Sequence, residues 1–449
     1  MKKPPGTFCI LPWNSVNVRN NGDMRICCNA NSYSPRRGIL TKEDGTPFNA
    51  GRDDWNDARN SELLKEVRVA MLNDEWHPEC ERCRQEEESG QTSRRTFDTA
   101  RLTLAGSNVS PENIKNITAN DGTLDVERQD IEFMDIRYGN FCNLKCRMCG
   151  PTDSHSWYDD FVKLYDNAKF SDTHGEVVLK KNDKGRWFTS DYDWFENNNT
   201  YWNNFDKYTQ NIKRIYIVGG EPLLIKEHEE SLQRLVDSGA SKNIELEYNT
   251  NLTNVTDNII QLWKNFKLVG VGASIDGKDE VFNYQRAPAK WDAVYKNIRR
   301  LDSTDGLNMK AWFSYTVTVF NIFHLPEFMK WKLQEGNFQK FNSLDSHKPV
   351  ISYHMCHGPK MYNVKILPTE IKQQVTEHFE KYRNWIATSE FDDRVKKHYN
   401  IILDGVEKFM YKEDLSEFMP KFVKDNKKLD SIRGQNILDI VPQYEKYFK

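Results

Sequence analysis

The sequence predicts an α/β protein: a partial (β/α)6 barrel with a small cysteine-rich N-terminal module and a helical C-terminal extension. Two observations carry this expectation. Six short apolar strand candidates alternate with helical patterns between residues 131 and 386, and repeated βα units imply a parallel sheet. Nothing divides the six units into two halves, which favours a barrel over a doubly wound sheet.

The expected strands are 131–138, 213–218, 244–249, 269–275, 310–318 and 350–354. Helices are expected over 154–167, 226–238, 257–266, 291–301, 325–334 and 369–386. In such barrels the chemistry sits at the C-terminal ends of the strands. Residues 1–105 read as a separate module. Val16 and Val18, a turn at Asn20-Asn21-Gly22-Asp23, and then Met24 and Ile26 suggest a hairpin. Leu63, Leu64, Val67 and Met71 follow on one helical face. The polar stretch 106–130 reads as a linker, so the barrel domain is placed at 125–365 and the helical extension at 366–449. Within the barrel, 169–208 reads as a long polar loop holding Trp187, Trp194 and Trp202, a lid or a self-packed insertion. The run Glu86-Glu87-Glu88 reads as a solvated helix face.

The 449 residues carry 63 basic and 66 acidic side chains, a formal charge of −3. That balance argues against a strongly basic nucleic-acid binder or a polybasic membrane anchor. No apolar run approaches the length of a membrane span, and the start, MKKPPGTFC, has no secretory h-region. The expected compartment is the cytoplasm, where cysteines serve as thiolate ligands or reactive thiols rather than disulfides. Aromatics, 12% of the chain, supply a core that the aliphatics alone would not.

Eight of the nine cysteines fall within the first 149 residues, and Cys356 stands alone. Cys142, Cys146 and Cys149 follow the first barrel strand with spacing C-x3-C-x2-C. Three thiolates are one short of a closed tetrahedral zinc site, whereas on a [4Fe–4S] cube they leave one iron open, as a catalytic cluster needs. After the second strand comes Gly219-Gly220-Glu221-Pro222. Its glycines let a ligand approach the backbone, and Glu221 adds negative charge beside them.

This combination resembles the radical SAM superfamily. The likeness continues through Asn249-Thr250-Asn251 after strand three, Ser274-Ile275-Asp276-Gly277 after strand four, and Arg286 where many peptide-modifying members carry an arginine. It implies a TIM-like partial barrel in which Cys142, Cys146 and Cys149 hold a [4Fe–4S] cluster whose free iron chelates S-adenosylmethionine (SAM). Gly219, Gly220 and Glu221 would receive the SAM amino group. Ser274 would bond the ribose or carboxylate, and Arg286 would pair with the carboxylate. Asn249 and Asn251 are weaker candidates that might only cap turns, and Asp276 is either a cofactor contact or the start of an Asp-Gly turn. Met148 stands where an aromatic residue is common, and its polarizable side chain packs against rings equally well. The implied reaction is reductive cleavage of SAM to a 5′-deoxyadenosyl radical that abstracts a substrate hydrogen. It would use an external electron donor such as flavodoxin or ferredoxin.

Cys9, Gly22, Cys27, Cys80 and Cys83 resemble the first half of the SPASM motif, or the shorter twitch domain, here placed before the barrel. That likeness implies one auxiliary [4Fe–4S] cluster; four thiolates would also suit structural zinc. Cys27 and Cys28 compete for one ligand position, since adjacent strand residues face opposite sides. The implied substrate is a peptide or protein side chain, the alternatives being a small molecule such as a sugar or amino acid derivative, or a non-catalytic Fe–S protein. Cys356, in His354-Met355-Cys356-His357, is a hydrogen donor, a substrate contact or a plain buried thiol.

Overall fold

The computed structural model of the chain describes residues 5–31, 33–88, 92–173, 175–335, 338–342 and 350–449. Residues 1–4, part of the start inspected for a leader, lie outside them. The N-terminal hairpin consists of β1 (Ser15–Val18) and β2 (Met24–Arg25), and the first barrel strand is β3 (Phe133–Arg137). Two small hairpins follow, β4 (Lys169–Asp172) with β5 (Gly175–Val178) and β6 (Lys180–Lys181) with β7 (Trp187–Phe188). The other barrel strands are β8 (Arg214–Val218), β9 (Glu245–Thr250), β10 (Leu268–Ser274), β11 (Met309–Val317) and β12 (Ser352–Met355). One sheet results, in the order β12-β11-β10-β9-β8-β3-β1-β2, parallel throughout except for β1 against β2.

Six barrel strands lie side by side in chain order, the winding of a barrel, and β12 and β2 are left as edges. Each begins and ends within two residues of its expected bounds.

The N-terminal helices are α1 (Leu11–Asn14), α2 (Trp55–Arg59), α3 (Glu62–Leu72), α4 (Glu81–Glu88) and α5 (Arg94–Leu104). Those of the barrel are α6 (Tyr158–Tyr165), α7 (Asn199–Tyr208), α8 (Lys226–Asp237), α9 (Asp257–Trp263), α10 (Asp279–Gln285), α11 (Trp291–Ser303) and α12 (Leu325–Glu335). The extension holds α13 (Thr369–Thr388), α14 (Asp393–Tyr411), α15 (Met419–Arg433) and α16 (Glu445–Phe448). No helix among the described residues is long and apolar enough to cross a membrane.

The period-2 alternation of the strands sorts their side chains. Met134, Ile136, Ile215, Ile217, Leu246, Tyr248, Val271 and Phe313 are at most 2% exposed and form the shell beneath the helices. On the other face the register aligns Asp135 with Tyr216, Glu247 and Gly270, and above them Asn249 with Gly272 and Trp312. This inner layer is polar. Gly272 is required there: a Cβ would stand 2.5 Å from Asn249 Oδ1 and 2.9 Å from Trp312 Nε1.

Four expectations change. Residues 1–105 do not stand apart, because β1 pairs in parallel with β3 through Ser15–Phe133, Val16–Met134 and Asn17–Asp135. An uncovered β3 edge would leave backbone donors and acceptors unpaired. Stretch 106–130 is packed rather than a free linker, with Val109, Ile114 and Leu124 buried and the Arg68 guanidinium donating to Gly122 O at 2.9 Å. The 169–208 insertion is two hairpins and α7, not a loop. It ties onto the N-terminal residues through Trp194 Nε1 to Asn20 O (3.0 Å), Asn198 Nδ2 to Gly51 O (2.8 Å) and Asn204 Nδ2 to Asp53 O (2.9 Å). Finally, Glu87 is not solvated; it pairs at 2.6 Å with the buried Arg95 guanidinium.

Helix α5 crosses the inner face of the sheet near the N-terminal ends of the strands. Asp98 accepts from Arg214 Nη1 at 2.7 Å, and Arg101 donates to Glu245 at 2.9 Å. Arg94 pairs with Asp98 at 2.5 Å and lies 5.0 Å from the centre of the Tyr216 ring.

His228, on α8, is fully buried, with Nε2 3.0 Å from Tyr248 Oη. Burial holds its pKa down to about 3, so the folded protein keeps it neutral while the unfolded chain protonates near pH 6.5. Its stabilising contribution is therefore present above pH 6.5 and lost as pH falls toward 3. Between pH 6.5 and 5 that loss is about 2 kcal/mol. Anaerobic urea unfolding of His228→Gln is expected to show a pH slope shallower by that amount; an unchanged slope would refute the assignment.

Candidate active site

The loops at the C-terminal ends of β3, β8, β9 and β10 converge on the three-cysteine segment. That segment is held by its backbone: Lys145 N donates to Ala287 O and Arg147 N to Gln285 O, both at 2.8 Å. Side chains hold it as well. Ser156 Oγ donates to Cys142 O at 2.7 Å and Trp157 Nε1 to Cys146 O at 2.8 Å. Cys142 and Cys146 are buried with Leu144, and Met148 and Cys149 pack beside them. The Cys146 and Cys149 thiols are hydrogen-bonded to each other. Arg286 Nη1 lies 3.7 Å from Cys146 Sγ. The Cys149 hydrogen bond and this guanidinium both favour the Cys146 thiolate and hold its pKa down.

The Gly219–Glu221 turn presses against the start of this loop. Glu221 N donates to Phe141 O at 2.7 Å and Gly220 N to Gly139 O at 3.3 Å. A Cβ on Gly220 would stand 2.2 Å from Phe141 O, and Gly219 has φ of +119°. The close approach that requires these glycines is therefore that of the cysteine loop's own backbone. The Glu221 carboxylate, 1% exposed, accepts from Thr250 Oγ1 (2.6 Å), Asn251 N (2.6 Å) and Leu223 N (3.2 Å). Burial nevertheless raises its pKa to about 7. Its role in this structure is to tie the second and third strand ends together, a role that spacing alone did not reveal.

Asn251 Nδ2 lies 3.9 Å from Cys142 Sγ, whereas Asn249 Nδ2 donates to Tyr216 Oη at 2.6 Å on the inner face. Ser274 ends β10, half-buried. Asp276 is fully buried, and its Oδ2 accepts from Arg286 Nε at 2.8 Å while Oδ1 accepts from Thr316 N at 2.7 Å. Asp276 thus orients Arg286, a role outside both readings of it given above. Cys356 is buried, donates to Gly358 O at 3.3 Å, and is raised to about 12 by burial.

At the N-terminus, Cys9, Cys27, Cys80 and Cys83 line one cavity of about 30 Å³. Leu11, Pro12, Ile26, Val67 and Met71 supply its apolar wall, and Arg94, Arg95 and Glu79 its charged groups. Asn29 Nδ2 donates to Cys83 Sγ at 3.5 Å. Burial raises all four thiols. Cys28 is absent from this lining; its electrostatic neighbours are Arg94, Asp135, Asp98 and Arg137. Among the described residues, no three His, Cys, Asp or Glu side chains are placed to hold a single metal ion.

No curated protein matches the sequence. Among solved structures, native anSMEcpe with bound AdoMet is 16% identical, covering 56% of this chain and 60% of its own, with a TM-score of 0.35. Native anSMEcpe with bound AdoMet and Cp18Cys peptide is 14% identical, covering 61% of each chain, with a TM-score of 0.34. Streptococcus suis SuiB bound to precursor peptide SuiA is 12% identical, covering 79% of this chain and 71% of its own, with a TM-score of 0.31. The chain thus spans about 60% of the length of the first of these. The family described as the Radical SAM superfamily matches residues 136–320, from β3 through the end of β11 and the three-cysteine loop between them. Residues 136–320 therefore carry a radical SAM domain.

Proposed function

We propose that the protein binds a [4Fe–4S] cluster on Cys142, Cys146 and Cys149, binds SAM beside it, and modifies a peptide or protein side chain. The observation that carries this reading is the convergence of three thiols on one braced loop, with a guanidinium 3.7 Å from the middle sulfur. The donor set fits the group, since soft thiolates select iron–sulfur clusters and Arg286 favours the thiolate form. When bound, the cluster and SAM supply a 5′-deoxyadenosyl radical able to abstract hydrogen from an unactivated C–H bond.

The chain's own residues bind, orient and shield. Arg286, aligned by Asp276, would pair with the SAM carboxylate. The carbonyls of Gly219 and Gly220 would accept from the SAM ammonium, with Glu221 behind them. Ser274 would bond the ribose or carboxylate, and Asn249 lies at the inner face, toward the substrate. Asp135, Tyr216, Asn249 and Trp312 make that face polar, suited to hydrogen-bonding an amide-rich substrate. The electron would come from an external donor of the flavodoxin or ferredoxin kind.

The same reading gives the N-terminal cavity an auxiliary [4Fe–4S] cluster held by Cys9, Cys27, Cys80 and Cys83. Four thiols lining one cavity are soft donors of the kind that select iron–sulfur clusters. A zinc ion would draw all four to about 2.3 Å from one point.

The test is anaerobic reconstitution with iron and sulfide, then SAM and dithionite, with 5′-deoxyadenosine measured by chromatography. Formation that depends on enzyme, reductant and SAM is expected. A full cluster complement with no cleavage would leave a non-catalytic Fe–S protein and overturn the proposal.

A further inference from the structure

We infer that Asp430 and Asn426 of α15 are positioning residues, which fix the three-cysteine loop relative to the strap carrying Arg286. The inference rests on the cofactor site proposed above and assigns the C-terminal extension a part in it.

Arg147 stands between Cys146 and Cys149 in sequence but is fully buried, its guanidinium turned away from the sulfurs into the extension. Nη1 donates to Asn426 Oδ1 at 2.6 Å, and Nη2 donates to Gln435 Oε1 at 2.9 Å and pairs with Asp430. The guanidinium lies 3.7 Å from the centre of the Tyr284 ring. Tyr284 Oη in turn donates to Asp430 Oδ1 at 2.9 Å. One carboxylate therefore holds both the cysteine loop and the residue two positions before Arg286. Asp430 is itself fixed, because its Oδ2 accepts from Ile437 N at 2.9 Å and Asn426 Nδ2 at 3.2 Å.

The neighbouring loop residues are tied to the same helix. Arg433 Nε donates to Asp160 Oδ2 at 2.7 Å, and Lys145 Nζ donates to Asp160 Oδ1 at 2.9 Å. The Arg433 guanidinium also lies 4.5 Å from the centre of the Trp157 ring, whose indole holds Cys146 O. Lys145, Cys146 and Arg147 are thus each anchored to α15, directly or through one side chain. A buried planar fork with bidentate partners fixes position better than apolar packing does. Misplacement of about 1 Å in a supporting shell is enough to degrade a site.

The experiment uses full-length reconstituted protein and reads the EPR spectrum of the dithionite-reduced sample with and without SAM, together with KM and kcat for 5′-deoxyadenosine formation. Asp430→Ala is expected to raise KM for SAM about tenfold and to shrink the SAM-induced spectral change. Asp430→Asn, which keeps shape and loses charge, is expected to raise KM about threefold and decides the matter if the alanine variant does not fold. Arg383→Ala breaks an exposed ion network of the same extension, with Asp404 and Glu407, and is expected to keep wild-type values. Folded Asp430 variants with wild-type KM and an unaltered SAM response would overturn the inference. A wild-type protein without any SAM response would instead overturn the cofactor site, and this inference with it.

Discussion

The triple variant Cys142→Ala, Cys146→Ala, Cys149→Ala is expected to form no 5′-deoxyadenosine while retaining about four irons per chain, against about eight for the wild type, one cube fewer. The first half follows from the donor count. In the proposed site these thiols are the soft ligands, and alanine would leave the iron nothing to bind there. The second half follows from separation in the fold. The remaining four sulfurs surround their own cavity between α3, the 78–83 turn and α5, and none of its lining residues belongs to the 142–149 loop. The loop's backbone bonds to Gln285, Ala287 and the Gly219–Glu221 turn survive the substitutions, so the sheet should persist. Iron analysis and near-ultraviolet circular dichroism on the same sample check both halves. Retained SAM cleavage would remove the catalytic assignment of the loop. Iron near zero, with zinc present, would make the N-terminal site a structural zinc centre.

The parts of this arrangement that the sequence discloses are those built from neighbours along the chain. C-x3-C-x2-C on one turn must bring its sulfurs together, and six βα patterns in a row must wind one way. Relations across long separations left no local trace. The pairing of β1 with β3 joins residues more than 100 positions apart, and a four-residue strand with a tight turn looks the same in an isolated hairpin as at a sheet edge. Arg147 and Asp430 are 283 positions apart, and within a lysine-rich helix such as α15 one aspartate does not announce a buried partner. The insertion reads as a loop because it is long and polar, with Asn198 and Asn204 among its polar residues. Those residues turn out to satisfy backbone carbonyls and caps at its junction with the N-terminal segment, where polarity is a requirement of packing rather than of solvent. The family resemblance implies that Glu221 stands beside the SAM ammonium. Only the fold reveals that three donors already engage its carboxylate.

The neighbouring thiols Cys27 and Cys28 should separate sharply on substitution. Cys27→Ala is expected to bring the iron content of the reconstituted protein from about eight to about four per chain, like alanine at Cys9, Cys80 or Cys83. Cys28→Ala should retain about eight. The cause is the bend and turn that follow β2, which send the two neighbouring side chains to different surroundings. Ile26 and Cys27 reach the cavity, while Cys28 is turned toward Arg94, Asp98, Asp135 and Arg137 beside the inner face of the barrel. Burial pushes the Cys28 thiol up to about 11 even with Arg94 favouring its thiolate, so at neutral pH it remains a protonated thiol. Mössbauer spectra of the triple variant described above, with and without Cys28→Ala, isolate the auxiliary cluster and make the comparison direct. Iron loss on Cys28→Ala with retention on Cys27→Ala would reverse the ligand assignment. Loss on both would mean that the two residues exchange places around the cluster, and the cavity lining would then describe only one of two arrangements. Arg94 lines the cavity and also stands over Tyr216 on the inner face. Cys28 has Arg94, Asp98, Asp135 and Arg137 as its electrostatic neighbours and is absent from the cavity lining, so its replacement should leave the iron in place.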